Sequence, residues 1–406
     1  MNTISQSVTL PTRPIVFRCV PPLYFALRDY GTSGAPIQAV HSSKTPPTGL
    51  AIDPNNILYL AYPRNTGPTP NNVVICPTYD TEEPWPNAAI QNCTSGQNAS
   101  TCFVNVQNIV LDSLSQLWIV DSGIPVGSKS AVQYGAKIMS FDYQTRELKR
   151  TYVIPEELYY DGMNANDVRI NNTLGTGGYA FITDASTSAS LLAVDLETGR
   201  AVRRLYNTTA VRADEKYVGV YNGNPIYAWN GTKKSYFTTG SDGIALQSGN
   251  VYWGVLASRR FYYIPQHMLI DESLSDEEVE DAVVFPSQIG SEQAGFTADD
   301  RGRMYVLASE HNAIFYVDTL QSQVTEEVNG TPPGGNGLVK SDNYVVKTLV
   351  RNALIQHADS AAVWQGWLYF CTNQLELSPG RQYKNVDGRK GPFISYRVWV
   401  GAGPAI

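Results

Sequence analysis

The chain has four histidines, His41, His267, His311 and His357. Two of them stand near carboxylates: His311 follows Glu310, and His357 lies two residues before Asp359. An imidazole beside a carboxylate can give or take a proton near neutral pH. A surface or structural role is the competing reading for each. Arg64 offers a fixed cation that could polarise an oxygen. A second group is rich in oxygen donors, namely Asn164, Asn166 and Asp167 in MNANDV and Asp242 in GSDGIA. Carboxylate and amide oxygens suit Ca²⁺ or Mg²⁺, so Asn166 and Asp242 are the expected ligands if any metal binds. The plainer reading has Asp242 capping its own turn, and no metal is expected. The sequence has no G-x-S-x-G, no recognised Ser/His/Asp order, no phosphate loop and no C-x-x-C. NAD, ATP, acyl-enzyme and zinc chemistry are thereby disfavoured, and no cofactor is expected.

These residues need a scaffold, and internal repeats supply it. AIDPNNILYLAYP from Ala51, VLDSLSQLWIVDSG from Val110 and TADDRGRMYVLASE from Thr297 superpose without gaps. Each has an apolar run, an Asp, a polar turn, then an apolar-aromatic pair opening a second strand. Three looser copies complete the set, aligning Tyr59, Trp118, Phe181, Tyr252, Tyr305 and Tyr369 at separations of 53 to 71 residues. Each unit has room for four short strands. Third strands such as AKIMSFDYQT and fourth strands such as ELKRTYVI follow hairpin-like turns. Six such units arranged radially make an all-β, six-bladed β-propeller of four-stranded antiparallel blades. One domain, 1–406, is expected, with about residues 1–35 closing or flanking the ring.

In a propeller the innermost strand enters from the face to which the second strand returns. Loops before the first strands and after the second strands therefore meet at one mouth of the central channel, a common place for ligands. That selects Asn164, Asn166, Asp167, Asp242, Phe296, His357 and Asp359 from the first set. The second set gives Tyr62, Arg64, Asp121, Glu310, His311 and Asn373. Arg64, His311 and His357 are the expected catalytic groups. Trp364 is the expected apolar wall, though aromatics serve more often as core than as pocket.

A net charge of −7 without a basic stripe argues against nucleic acid as a partner. No apolar run is long enough to span a membrane. The opening MNTISQSVTLPTRP lacks the regions of a signal peptide. Six sequons, at Asn92, Asn98, Asn171, Asn207, Asn230 and Asn329, nevertheless favour glycosylation in the secretory lumen or outside the cell. A local disulfide between Cys93 and Cys102 is plausible across the polar loop TSGQNAST, while Cys371 reads as a small buried hydrophobe. The acidic stretch from Asp271 to Asp281 reads as a solvated loop or short helix.

The runs LYLAYPRN, DSLSQLWIVDSGI, FITDAS, GSDGIALQSGNVYWGVLASRRFYYIP and PFISYRVW resemble successive landmarks of the major royal jelly protein and Yellow family. The likeness extends from about Pro36 to Val400. It departs from the family where Cys is replaced by Ser113 or Leu114, so the family's disulfide pattern does not transfer. Within the family the chain looks more like fungal members, including hetero-Diels–Alderases of tropolone–sesquiterpenoid biosynthesis. The resemblance implies a small hydrophobic or aromatic substrate and a pericyclic cyclisation of a quinone methide with a terpene alkene. The alternatives are a non-catalytic binder of small aromatic molecules or a metal-dependent lactone hydrolase.

Overall fold

A computed structural model describes residues 32–64, 69–327 and 333–405. Six antiparallel sheets stand around an axis. Blade 1 runs through Gly49–Ile52, Leu58–Ala61, Val73–Cys76 and Glu83–Pro84. Blade 2 comprises Val106–Leu111, Gln116–Asp121, Lys137–Asp142 and Leu148–Val153, and blade 3 Ala165–Asn171, Tyr179–Asp184, Ser190–Asp195 and Ala201–Arg204. Blade 4 comprises Ser241–Gln247, Asn250–Val255, Arg260–Pro265 and Val284–Gln288. Blade 5 holds Gln293–Ala298, Arg303–Ala308, Ala313–Asp318 and Lys347–Arg351, with Ser33–Gly34 added at its outer edge. Blade 6 holds Ala358–Trp364, Trp367–Thr372 and Phe393–Trp399, and its outer strand is Gln38–Ser43 from the start of the described chain. That pairing closes the ring with a strand just after the segment of about residues 1–35 expected to close or flank it, of which residues 1–31 lie outside the described residues. Within each blade the first strand lies innermost and packs against its neighbours around the axis.

The repeat explains why the blades form. Asp112 accepts hydrogen bonds from the backbone N–H of Leu114 and Gln116 at 2.9 and 2.8 Å, and from the Trp118 indole at 2.8 Å. Asp53 does the same for Asn55, Ile57 and the Tyr59 hydroxyl, and Asp299 for Arg301, Arg303 and the Tyr305 hydroxyl. One carboxylate therefore caps the turn at i+2 and i+4 and orients the aromatic at i+6. All six aligned aromatics occupy the second strand, each in the seam with the following blade. Burying one such ring contributes about 1.5–3 kcal/mol. Trp118 stacks on Tyr152 at 5.9 Å and Trp253 on Tyr262 at 5.7 Å, which continues the seams outward.

Two additions lay outside the repeat. Residues 205–240 carry two short hairpins, Gly219–Tyr221 with Asn224–Ile226 and Ala228–Asn230 with Lys233–Ser235. Helices α1 (Gln266–Ile270) and α2 (Asp276–Asp281) precede the last strand of blade 4, and a Ser275/Glu278 capping box starts α2 within the acidic stretch.

Cys93 and Cys102 form the expected disulfide, and Cys76 and Cys371 are buried free thiols; Cys19 lies outside the described residues. Asn98, Asn207 and Asn230 are exposed and Asn92 is half-buried. Asn171 corrects the expectation: it is buried, its amide donates to Gln266 at 2.6 Å and its oxygen accepts from the Thr173 backbone at 2.9 Å, so the folded chain offers no room for a glycan there. Asn329 lies outside the described residues. No helix among the described residues is long and apolar enough to cross a membrane.

Removing the capping carboxylate should loosen a blade locally and measurably. Asp112→Ala strands three donors and is expected to cost roughly 2 kcal/mol or more in chemical denaturation. Trp118→Phe loses one bond but keeps the ring and should cost less. Equal losses from the two would show that packing, not the carboxylate, sets the turn.

Candidate functional site in the central channel

Five of the six innermost strands carry a bulge at the same height, between Val106 and Asn108, Ala165 and Val168, Ser241 and Ile244, Gln293 and Phe296, and Ala358 and Ala361. A bulge re-aims the side chains at the extra residue. Here that residue is polar in blades 2, 3, 4 and 6, at Gln107, Asn166 and Asp167, Asp242, and Asp359 and Ser360. Blade 5 has Gly295, where a Cβ would lie 2.0 Å from the Asp359 carbonyl oxygen, so only glycine permits the approach.

Bonds between blades that are not neighbours must cross the axis, and two do, from Ser360 to Asn108 and from Arg169 to Phe296, while others join adjacent blades beside them. Ser360 of blade 6 donates to Asn108 of blade 2 at 3.3 Å. Asn108 in turn donates to Asp167 at 2.7 Å. Arg169 of blade 3 reaches the Phe296 carbonyl of blade 5 at 2.6 Å and pairs with Asp167 at 2.6 Å. Asn166 donates its amide N–H to Asp242 at 2.9 Å. At the mouth, the His357 Nδ1 bonds to Glu376 at 2.6 Å, and its Nε2, which has no hydrogen-bond partner, lies 3.6 Å from Asp359. Asn373 donates to Asp359 at 2.5 Å, and Arg381 pairs with Glu292 at 2.6 Å.

Five carboxyls thus converge on three cations. Asp167 has Arg169, Glu292 has Arg381 and Glu376 has His357. Asp242 and Asp359 are left without a cation of their own. Burial, reinforced by Asp359 and Asp167, pushes the Asp242 carboxyl well above the usual carboxylate range. Burial likewise pushes Asp359 up to about 7, although His357 and Asn373 pull the other way. Burial alone would depress His357, but the Glu376 carboxylate outweighs it and holds the imidazole above its ordinary value. Glu376 is held low by the same imidazole against the effect of its burial. The mouth therefore sets a histidine whose proton is held more tightly against a carboxylate held low, beside two carboxyls that hold their protons to higher pH than usual.

The segment 205–240 and the loop after Thr372 close over this mouth. Glu310 accepts from the Val220 backbone at 2.8 Å and pairs with Arg259 at 2.5 Å. Arg381 lies over the Phe237 ring at 4.4 Å, and Trp229 meets Tyr383 edge-on at 5.2 Å. Glu292, His357 and Glu376 are buried as a result. Their ligand atoms lie within 4.8 Å of one another, a donor set that a metal ion could use, but Arg381 already neutralises Glu292 and His357 already occupies Glu376.

Beyond Arg169, towards the opposite face, the channel widens into a chamber of about 360 Å³ walled by Leu50, Ile52, Val110, Ala245, Ala361 and Val363. Hairpin turns form its rim.

The expected site residues separate into three groups. His357, Asp167, Asp242 and Asn373 come together at the axis, and Asn164 lies half-buried on the same face with its backbone N–H on Asp184. Glu310 holds the cover instead of lining the channel. Phe296 presents only its carbonyl to the axis, and its ring is buried in the seam between blades 4 and 5. The remainder lie elsewhere. Tyr62 is buried beside Ser43 and Glu82, Asp121 is buried against Lys137 at 2.8 Å, and Arg64 borders a peripheral pocket by the Cys93–Cys102 loop. His311 is exposed, with its Nε2 on the Gly290 carbonyl. Trp364 lines the far chamber, because it ends its inner strand instead of starting it.

Sequence reasoning missed Arg169, Glu292, Glu376 and Arg381. The repeat contained a signal for the first: Arg169 pairs with Phe181 where the other blades pair Ala51, Val110, Ala245, Thr297 and Ala362 with their aromatics. Glu376 and Arg381 lie in a loop with no counterpart in the other blades.

Solved structures of similar fold include a luciferin-regenerating enzyme, with a TM-score of 0.50 and 10% identity over 91% of this chain and 97% of that one. A virginiamycin B lyase from Staphylococcus aureus matches with a TM-score of 0.45 and 10% identity, covering 90% and 99%. A putative gluconolactonase gives 0.46 and 8%, covering 92% and 95%. At these identities the likeness concerns the fold alone. Among curated proteins none matches the sequence. The family model for major royal jelly protein matches residues 104–336, more than half of the chain, from the first-strand entry of blade 2 into blade 5. The repeat, the ring closure and this match together place the chain in the major royal jelly protein family.

Proposed function

We propose that the protein is a natural-product cyclase of the hetero-Diels–Alder type that works in the central channel. The family resemblance to fungal cyclases motivates the reading. The observation that supports it best is the Asp359 carboxyl 3.6 Å from the His357 Nε2 within an enclosed polar mouth, where burial pushes it up to about 7 so that a share of it keeps its proton near neutral pH. A neutral carboxylic acid at pH 7 can donate a proton that an ordinary aspartate has already lost. Asp359 would protonate the hydroxyl of a hydroxymethyl group on an aromatic ring. The C–O bond then breaks with its electron pair going to oxygen, and water leaves. The ring hydroxyl returns a proton to the Asp359 carboxylate, leaving a neutral quinone methide. Addition of a terpene alkene forms one C–C and one C–O bond with no net proton transfer. Holding the two reactants in register can lower such a barrier by roughly 7 kcal/mol or more.

A non-catalytic binder of small aromatic molecules is the second reading, supported by the apolar chamber. The lactone hydrolase has less support, because the Asn166 amide donates its N–H to Asp242 instead of presenting an oxygen beside it. We also propose a secretory compartment, since disulfides persist in oxidising surroundings. Protein from a eukaryotic secretory host is expected to carry glycans at exposed sites such as Asn98, Asn207 or Asn230 but none at Asn171. Glycopeptide mapping checks this.

The direct test supplies an o-hydroxymethyl phenol or tropolone with a sesquiterpene alkene and follows the adduct by chiral chromatography. Wild type should give enantio-enriched product. Asp359→Asn and His357→Gln should each lower the rate by roughly 10²-fold, the scale of a lost oriented donor. His311→Ala and Arg64→Ala, away from the axis, should stay near wild type. Racemic adduct at the spontaneous rate would reject the cyclase and leave the binder.

The raised hold of Asp359 on its proton can be tested without substrate. Between its ordinary value near 4 and its folded value of about 7, the folded state keeps a proton that the unfolded state gives up. Stability contributed by this group is therefore present below about pH 4 and is lost as pH rises towards 7. His357, also raised, acts in the same sense, whereas Glu376, held low, contributes above its ordinary range and loses that contribution in acid. Asp359→Asn should flatten the decline between pH 5 and 7.5 by roughly 1–3 kcal/mol. Superimposable pH profiles for the two proteins would mean that Asp359 ionises normally, and the acid would have to be sought elsewhere.

A further inference from the structure

We propose that the chamber beyond Arg169 is a separate binding site for a compact apolar molecule bearing one acceptor or anionic oxygen, and that Arg169 selects that oxygen. This goes beyond the cyclase reading, because it requires no turnover and concerns the opposite end of the channel.

The chamber's volume, about 360 Å³, falls within the range of roughly 300–1,000 Å³ usual for small-molecule sites. Its walls come from the inner strands of all six blades, and the side chains on them are chiefly aliphatic. Small residues make the space: Ala245, Ala361 and Ala362 stand where bulkier aliphatics would fill the axis. A chamber of this kind suits a skeleton of about ten to fifteen carbon atoms.

Arg169 supplies the polar end. It is the one cation lining the chamber among the described residues. A guanidinium has five N–H groups. Both hydrogens of Nη1 are taken, by Asp167 at 2.6 Å and by the Val168 carbonyl at 2.7 Å, and Nη2 reaches the Phe296 carbonyl at 2.6 Å. The Nε–H and one Nη2 hydrogen have no partner among the described residues. The other charged lining residue, Asp112, is occupied by the Leu114 and Gln116 backbone and the Trp118 indole. An oxygen at the inner end of the chamber would thus meet free donors, whereas an ammonium there would meet a guanidinium. Arg169 is anchored on both sides of the axis, so its donors are held in place before a ligand arrives, which lowers the ordering cost of binding.

The test uses one skeleton with three end groups: 2-naphthoate, 2-naphthol and 2-naphthylmethylammonium, titrated calorimetrically into the full chain. The naphthoate or the naphthol should bind saturably with one site, and the ammonium at least tenfold more weakly. Arg169→Met should bring the three within about threefold of one another. Ser113→Trp, at the exposed rim, should weaken all three at least tenfold while circular dichroism stays unchanged, and it serves even if Arg169→Met does not fold. No saturable binding of any probe, a preference for the ammonium, a preference that survives Arg169→Met, or binding indifferent to Ser113→Trp would each overturn the proposal.

Discussion

Ring closure is the constraint on which everything else depends. The strand Gln38–Ser43 pairs with Phe393–Trp399, two segments separated by nearly the whole described chain. Until they meet, six sheets are only a string of meanders with apolar faces on both sides. Once they meet, every sheet has a neighbour on each side, and six seam clusters are buried together. The geometry then leaves one place where all six inner strands face each other, the axis. Whatever side chains the strands carry there are forced together, and the bulges decide which side chains those are.

That crowding has an electrostatic consequence. Burying an ion pair removes two charges from water, and the attraction between them often does no more than offset that loss. The pairs at the mouth are on that ground no simple source of stability, and a fold that only needed a plug could have used aliphatic side chains, as the far chamber does. Polar groups concentrated at one end of an otherwise apolar channel are better understood as a cost carried for function. The cover over the mouth strengthens the effect, because excluding water raises the strength of each interaction inside.

The propeller was legible because its signal is local and repeated. An Asp with an aromatic six residues later describes three of the hairpins, and with three looser copies at similar spacing the six describe a ring. The mouth was legible only in part. Residues that begin inner strands, such as Asp242 and His357, follow from topology, and so does Asn373 at the end of a second strand. Tyr62, Asp121 and Arg64 satisfy the same topological rule yet point into seams or outward, because position after a strand says nothing about the direction of a side chain once a loop turns. Trp364, expected as an apolar wall, ends its inner strand and so lines the chamber at the end of the channel opposite the mouth. Glu376 and Arg381 come from a loop outside the repeat, and no periodic argument reaches them. Their roles depend on long-range partners, Arg381 on Glu292 and Glu376 on His357 across a loop.

The charge count along the axis separates the functional readings more sharply than the residue types do. Asp242 and Asp359 are the two carboxyls that the three cations leave over, and they stand close enough for Asp242 to feel the charge of Asp359. While they hold protons they can donate to an oxygen, and they offer a metal ion little. If both ionised, the same pair would become a strong cation site and a poor acid. Each state excludes the other, so a single arrangement cannot serve as acid and metal centre under one set of conditions. With Asp359 held up to about 7 and Asp242 also pushed well above the usual carboxylate range, both by burial, the pair favours the acid side of that division as pH falls below neutral. Arg169 reinforces this, since its guanidinium spans the channel between Asp167 and the Phe296 carbonyl and adds a fixed positive charge there. In the two proposed roles the mouth and the chamber share one preference, for oxygen over ammonium, and reach it by different means: carboxyls with a raised hold on their protons at one end, a fixed cation at the other.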